Sequence, residues 1–324
     1  MLSDIAFRHA TVGVFKTMDL KQLHYFKHVA ELGSFSRAAA FLSVAQPALS
    51  RQVRKLETEL NVPLLYRNGR GVTPTDAGGL LLKRANALLE QFQRVEHEMK
   101  SLEGIVSGSV TLGVPPSVSQ VLIRPLINHF RRLYPAVSLE IVEAFSGHVN
   151  EWLADGRLDV AVLYNAPRTK HLASERLLIE ELLLISPTDG NGPEIGKVTL
   201  DELSSGSLIL PSRPHGLRLL VDEVAAKNNL KLRVDFEINA LSAIKDLVED
   251  GAGSTILPYA TVYREVTRGQ MVAKRIEGQP FSRTLVLATS TQRPLSLAAR
   301  ALVDRIKLEV KELHASGKWL GSSL

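Results

Sequence analysis

The chain has 324 residues and no cysteine. That excludes a disulfide framework, a thiolate metal site and a thiol-based redox sensor. No apolar run approaches the roughly 20 residues that a bilayer-spanning helix needs. Residues 1–17 also lack the apolar centre of an export signal, so the cytoplasm is the expected location and no membrane is expected as a partner. There is no Gly-x-Ser-x-Gly elbow, no phosphate-binding Walker loop and no dinucleotide glycine fingerprint. Gly251-Ala252-Gly253 is too short a fragment of the last and reads as a turn into the following strand. His24 and His28 have the i,i+4 spacing of helical metal ligands, but no acidic or sulfur-bearing residue joins them at a suitable spacing, so they read as helix surface. No catalytic residue, metal site or cofactor is expected. A large charge excess is missing too: 39 basic against 34 acidic side chains leave +5. Residues 1–104 hold 14 basic and 10 acidic residues, the remainder 25 and 24, so the small excess sits in the N-terminal third.

What is present begins with GSFSRAAAFLSVAQPALSRQVRKLETEL, Gly33 to Leu60. Gly33-Ser34 stops one helical pattern, and the Ser34 hydroxyl can cap the next. Ala38, Ala39 and Ala40 keep that helix thin enough for a close crossing. Ser43-Val44-Ala45 breaks the pattern, and Pro47 suits the first turn of a second helix, where a missing N–H costs least. Leu49, Val53, Leu56 and Leu60 then form one stripe expected to be buried. The opposite face carries Gln46, Ser50, Arg51 and Arg54, all able to donate hydrogen bonds to base edges or phosphates. Upstream, Asp19 and Gln22 are spaced as a capping box for a helix with Leu23, Phe26, Val29 and Ala30 in its core stripe. Downstream, Leu64–Arg67 and Val72-Thr73 bracket Asn68-Gly69-Arg70-Gly71, a small hairpin. Three helices and a two-stranded wing make a winged helix-turn-helix, with Arg67 and Arg70 on the wing facing DNA.

GSFSRAA at Gly33–Ala39, AQPALSRQVRKLE at Ala45–Glu57 and LLYRNGRGVTPTDAG at Leu64–Gly78 together resemble the DNA-binding domain of LysR-type transcriptional regulators. The resemblance implies DNA-reading roles for Gln46, Pro47, Ser50, Arg51 and Arg54, and backbone roles for Ser34, Ser36, Arg67 and Arg70. One departure stands out. Ala45 occupies a place where the family usually has Ser or Thr, which removes a helix cap of order 1 kcal/mol. Met18-Asp19-Leu20 looks like a natural family start, so residues 1–17 are expected to be a disordered extension ahead of an 18–74 DNA-binding domain.

From Thr75 to Glu103 there is no proline, and Leu81, Ala85, Leu88, Phe92, Val95, Met99 and Leu102 alternate spacings of four and three. That heptad seam is too long to bury against a small winged domain, so residues 75–103 are expected to pair with a second copy. A dimer suits DNA reading, because a two-fold protein reads two half-sites about one helical turn apart, or a multiple of it. The LysR resemblance implies the same helix as the dimer contact, with dimers often pairing into tetramers.

Gly104–Gly108 reads as a hinge. After it, strand-like runs at Ser109–Val114, Val137–Val142 and Leu158–Leu163 alternate with helical patterns at Val118–Tyr134 and Val149–Asp155. A second cycle follows with strands at Leu182–Ser186, Leu208–Leu210, Val234–Glu237 and Ser254–Leu257, and helices near Leu217–Asn228 and Leu241–Asp250. The chain returns through Leu285–Thr289 and closes on a helix at Ser296–His314. The expected whole is a multidomain α+β protein, in which residues 104–324 form a two-lobed α/β effector domain resembling periplasmic solute-binding proteins. Its cleft lies where strand ends meet helix N-termini. Pro116, Ser117, Ser146, Gly147, Tyr164, Arg213, His215 and Asn239 are the candidate ligand residues. Helix N-terminal N–H groups with Arg213 and His215 suit a small anionic or polar metabolite.

The resemblance therefore implies a regulator that binds double-stranded promoter DNA as a homodimer or homotetramer, and that changes DNA bending and RNA polymerase contact when an effector binds. GVTPTDAG and LDVAVLY at Leu158–Tyr164 resemble the nitrogen-assimilation branch, in which action without an inducer is the alternative. A solute-binding module with an N-terminal docking domain is the reading from a different class. The arginines on the recognition helix and the missing export signal argue against it.

Overall fold

The computed structural model describes residues 18–68, 71–101, 106–166, 169–188, 190, 195–278 and 281–322. Residues 1–17, Arg70, Leu102 and the hinge positions Gly104 and Ile105 lie outside them. The chain forms two compact units that divide after Glu96.

In the first unit, α1 (Leu20–Leu32), α2 (Phe35–Phe41) and α3 (Gln46–Leu60) are followed by the hairpin of β1 (Leu65–Asn68) and β2 (Gly71–Pro74), and by the start of α4 (Asp76–Ser101). Local chemistry sets the boundaries. Asp19 accepts from the Gln22 N–H at 2.7 Å and the Gln22 side chain accepts from the Asp19 N–H at 2.8 Å, a complete capping box. The Ser34 hydroxyl accepts from the Arg37 N–H at 3.3 Å, whereas Ala45 supplies no side-chain cap to α3. Gly33 ends α1 at φ 62°, and its carbonyl accepts from the Val72 N–H at 2.9 Å. A Cβ on Gly71 would come within 2.9 Å of that same carbonyl, so a glycine there lets the wing reach the helix. Phe26, Val29, Leu49, Val53 and Leu56 fill the core and are fully buried. Each such side chain contributes about 1.5–3 kcal/mol of transfer free energy.

Two expectations need correction here. Leu60 is exposed, because α3 has by then passed the core and ends at Asn61 in a left-handed conformation. The α4 stripe is also not wholly free for a second copy, since Leu81 packs against the winged-domain core and Ala85 is fully buried. Leu88, Phe92, Val95 and Met99 remain 46–58% exposed.

In the second unit, β3 (Gly108–Val114), α5 (Pro116–Leu133), β4 (Val137–Glu143), α6 (Ser146–Ala154) and β5 (Val160–Tyr164) alternate. Strand β3 lies between β4 and β5 and runs parallel to both. The chain then enters β6 (Leu172–Pro187), a 16-residue strand. A second lobe follows: β7 (Gly196–Val198), α7 (Leu200–Ser205), β8 (Ser207–Leu210), α8 (Gly216–Lys227), β9 (Arg233–Glu237), α9 (Leu241–Glu249), β10 (Thr255–Pro258), α10 (Tyr263–Thr267) and β11 (Met271–Ile276). Return is through β12 (Ser282–Ser290), α11 (Leu297–Ala315) and β13 (Gly321–Ser322).

Strand β6 belongs to both lobes. Its Leu172–Glu181 half pairs with β12, and its Leu182–Pro187 half pairs with β10 and β11. Each lobe has its own core. One lies around Leu112, Leu122, Phe130, Val162, Leu302 and Trp319, and the other around Leu183, Ile209, Val221, Val248, Ile256 and Met271. Sequence periodicity locates the strands and helices of both βα cycles but misses the first half of β6, where Ser174, Glu175 and Arg176 hide the strand signal. It also misses β7, α7, α10, β11 and β13. Gly108, expected in a hinge, begins β3.

Candidate functional site

Two surfaces carry chemistry, one in each unit. In the first, the fully buried Leu49, Val53 and Leu56 turn the other side of α3 to solvent. Gln46, Pro47, Arg51 and Arg54 are exposed on it and Ser50 is half-buried. Among the described residues, no hydrogen bond or ion pair holds the Arg51 or Arg54 guanidinium. Ser36 is exposed near the start of α2, and Ser34 is the α2 cap. Arg67 is placed differently from the expectation. Its guanidinium lies 4.8 Å over the Phe35 ring and pairs with Glu57 at 3.5 Å. Glu57 also accepts the Leu64 and Leu65 N–H groups at 2.9 and 3.2 Å, so this carboxylate on the inner side of α3 anchors the wing. Arg70 lies outside the described residues.

In the second unit, a cavity of about 610 Å³ lies between the two lobes. All eight candidate ligand residues line it: Pro116, Ser117, Ser146, Gly147, Tyr164, Arg213, His215 and Asn239. Their positions follow from the fold. Helices α5 and α6 begin at the cavity, and so do α8 and α9 from the opposite lobe. No side chain caps α5, α6 or α9; the first-turn N–H groups of α6 and α9 are open to a ligand, whereas α5 starts on Pro116, which has no N–H, and Val118 bonds the Pro115 carbonyl, which leaves the Ser117 N–H. Apolar walls come from Phe145, Leu217, Leu220, Leu241, Ile244 and several prolines. Phe145 meets the His215 ring edge-on at 5.0 Å, bringing the two lobes into contact.

Five of the eight are already engaged within the protein: His215, Arg213 and Asn239 in the second lobe, and Ser117 and Tyr164 in the cavity floor. His215 Nδ1 accepts from the Leu217 N–H at 3.1 Å, which caps α8. Burial, with Arg283 nearby as a second cause, holds its imidazole below the usual 6.5. Arg213 Nε donates to Asp222 at 2.7 Å. Asn239 accepts from the Ser212 N–H at 3.1 Å and donates to its hydroxyl at 2.8 Å. Arg213 thus lines the cavity as one half of an ion pair.

The floor of the cavity is built by residues that sequence reasoning missed. Arg283 on β12 donates through Nε to Glu180 on β6 at 2.6 Å and through Nη2 to the Ser117 hydroxyl at 3.2 Å. Ser117 donates to the Tyr164 hydroxyl at 3.2 Å, and Tyr164 donates to Glu180 at 3.3 Å, closing a ring. The Arg283 guanidinium stacks 3.4 Å from the Tyr164 ring centroid. Trp319 Nε1 adds a bond to Glu180 at 2.6 Å. Burial pushes the Tyr164 phenol above its ordinary range, so it keeps its proton and donates. Arg283 fell just outside the strand predicted at Leu285–Thr289, and Glu180 lay in the unread half of β6. The period-2 neighbours of Arg283, Phe281 and Leu285, are apolar, so a charge on the face they share is the faint signal of the first.

Comparison with known proteins assigns both parts of the chain to one family. Residues 20–79 match the family described as "Bacterial regulatory helix-turn-helix protein, lysR family", and residues 103–310 match "LysR substrate binding domain". The HTH-type transcriptional regulator BbuR of Bordetella bronchiseptica is 30% identical, the match covering 94% of each chain. The nitrogen assimilation regulatory protein nac of Escherichia coli is 32% identical over 92% of this chain and 95% of its own. A point variant of full-length OxyR from Pseudomonas aeruginosa shares the fold with a TM-score of 0.69 at 25% identity, covering 90% of this chain and 98% of that one. CbnR, solved with its target DNA, gives a TM-score of 0.68 at 23% identity, covering 90% and 100%, and speaks to the fold alone. The chain belongs to the LysR family of transcriptional regulators. Among the described residues, no helix is long and apolar enough to cross a membrane.

Proposed function

We propose that this regulator binds promoter DNA through α3. Gln46, Pro47, Ser50, Arg51 and Arg54 meet base edges and phosphates, and Ser34 and Ser36 meet the backbone. Arg67 serves mainly to hold the wing. The observation that carries this reading is the polar, solvent-facing side of α3, with two guanidinium groups uncommitted among the described residues. Leu88, Phe92, Val95 and Met99 join two copies into the dimer that a two-fold operator requires, and dimers pair into tetramers. A cytoplasmic, non-catalytic role follows, in which an effector in the cavity shifts the two lobes and with them DNA bending and RNA polymerase contact. Such a shift needs a ligand with unequal affinity for the two arrangements. The 610 Å³ cavity favours this effector-responsive reading over action without an inducer.

The test is to recover and sequence the genomic DNA bound by the tagged protein in its native cell. Sharp sites sharing an interrupted inverted repeat are expected. Uniform coverage would overturn the DNA-reading role.

A further inference from the structure

The cations around the cavity differ in how far they are available to a ligand. Arg213 is exposed and tied to Asp222. His215 presents a capping nitrogen and a lowered pKa. Arg283 is 7% exposed and lies over Glu180, which is 1% exposed. These two neutralise each other, yet Nε and Nη2 use only part of a guanidinium that has five N–H donors. The remaining donors belong to a group that lines the cavity. Around it, the Ser117 N–H of α5 and the first-turn N–H groups of α6 are donors as well. A ligand end that meets this floor must therefore accept hydrogen bonds.

Charge and polarity narrow the class further. The Arg283–Glu180 pair tolerates one added negative charge, which the guanidinium shares in bidentate geometry. A second negative charge would have to share the exposed Arg213, whose Nε is tied to Asp222, and the Glu151 carboxylate also lines the cavity and repels it. The walls formed by Phe145, Leu217, Leu220, Leu241 and Ile244 suit an apolar body, and would leave a phosphate or a dicarboxylate poorly solvated.

We propose that Arg283 selects the ligand of this cavity for a single carboxylate carried on an apolar body, with Glu180 and Trp319 as the positioning residues behind it. This rests on reading the cavity as an effector site. Trp319 is fully buried, and Gly321 two residues on fits so tightly that a Cβ would lie 2.3 Å from the Ile179 carbonyl. The C-terminal strand is thereby locked under Glu180, and a ligand that draws on Arg283 alters the field felt by the Trp319 indole.

The test uses the full chain carrying Trp152→Phe, which leaves Trp319 as the single indole. Thermal shift and Trp319 emission are followed with benzoate, phenylacetate, hexanoate and cyclohexanecarboxylate, each beside its own primary amide, and with inorganic phosphate and succinate. At least one acid is expected to raise Tm and move the Trp319 emission. Its amide is expected to bind about tenfold more weakly, the loss of one charge-assisted contact, and phosphate and succinate are expected to give no shift. The pair Arg283→Met with Glu180→Gln removes both charges together and so avoids stranding either one. It should retain the fold and lose the preference of acid over amide. Arg283→Lys, which keeps the charge without the fork, should fall between. Equal binding of acid and amide, strong phosphate or succinate binding, or an acid preference that survives the double variant would overturn the proposal and leave the cavity reading standing. No binding by any compound would overturn both.

Discussion

Arg51 and Glu57 lie on opposite sides of one helix, and their environments give them opposite duties. Arg51 projects into solvent from α3, where the proposed DNA contact lies. Arg51→Ala should cost about 1–3 kcal/mol of discrimination between operator and random duplex, measured by fluorescence anisotropy. An equal loss on both duplexes would make it a phosphate contact only. Glu57 instead holds the Leu64 and Leu65 N–H groups and the Arg67 guanidinium. Glu57→Ala leaves those donors unsatisfied and should lower the stability of the winged unit by about 1–3 kcal/mol in thermal unfolding. His215 carries a pH dependence whose sign is set by its buried site. Its folded pKa lies below 6.5, so below that pH the unfolded chain takes up a proton more readily and stability falls as pH falls. The loss in Tm between about pH 7.5 and pH 5.5 should be larger for the native chain than for His215→Asn, which keeps an acceptor to cap α8. Equal losses would remove His215 from the account.

Helix α4 divides one apolar stripe between a packed stretch and an exposed one, the latter being where the dimer contact is proposed. Its first turns pack Leu81 onto the winged core and bury Ala85, while Leu88, Phe92, Val95 and Met99 stay exposed. A substitution at each end therefore has a different result. Leu88→Asp should leave the winged unit folded and shift the protein to monomer in sedimentation velocity, whereas Ala85→Asp should unfold that unit because a carboxylate cannot be solvated there. An intact dimer with Leu88→Asp would remove the seam from the interface. Strands β6 and β12 play the corresponding part in the second unit. Each continues from one lobe towards the other, and together they carry Glu180 and Arg283 to the cavity floor.

At the scale of the molecule, the complete cavity and both lobe cores lie within residues 106–322. That segment expressed alone should fold cooperatively and retain whatever ligand the full chain binds, with the same dissociation constant by calorimetry. Loss of binding in a folded fragment would mean that the cavity needs more than its own lining. The winged unit likewise closes its own core around Phe26, Leu49 and Leu56. With the two lobe cores that makes three, in keeping with the two or three compact units that a chain of this length is expected to form.

Much of this was legible in the order of residues alone, because it depends on local patterns. The Asp19–Gln22 capping box, the Leu49–Val53–Leu56 stripe, Pro47 in the first turn of α3 and the alternation of strand-like and helix-like runs are short-range signals that neighbouring residues carry themselves. So are the positions at strand ends where Ser117, Ser146, Tyr164 and Asn239 meet a cleft. What only the tertiary structure decided depends on contacts between distant segments. Glu180 and Arg283 are 103 positions apart and Glu180 and Trp319 139 apart, and nothing local announces their bonds. The same holds for Arg67, which pairs with Glu57 and lies over the Phe35 ring, and for Arg213, which pairs with Asp222. Periodicity reports which face a residue occupies, whereas its electrostatic partner is set by how the faces are brought together.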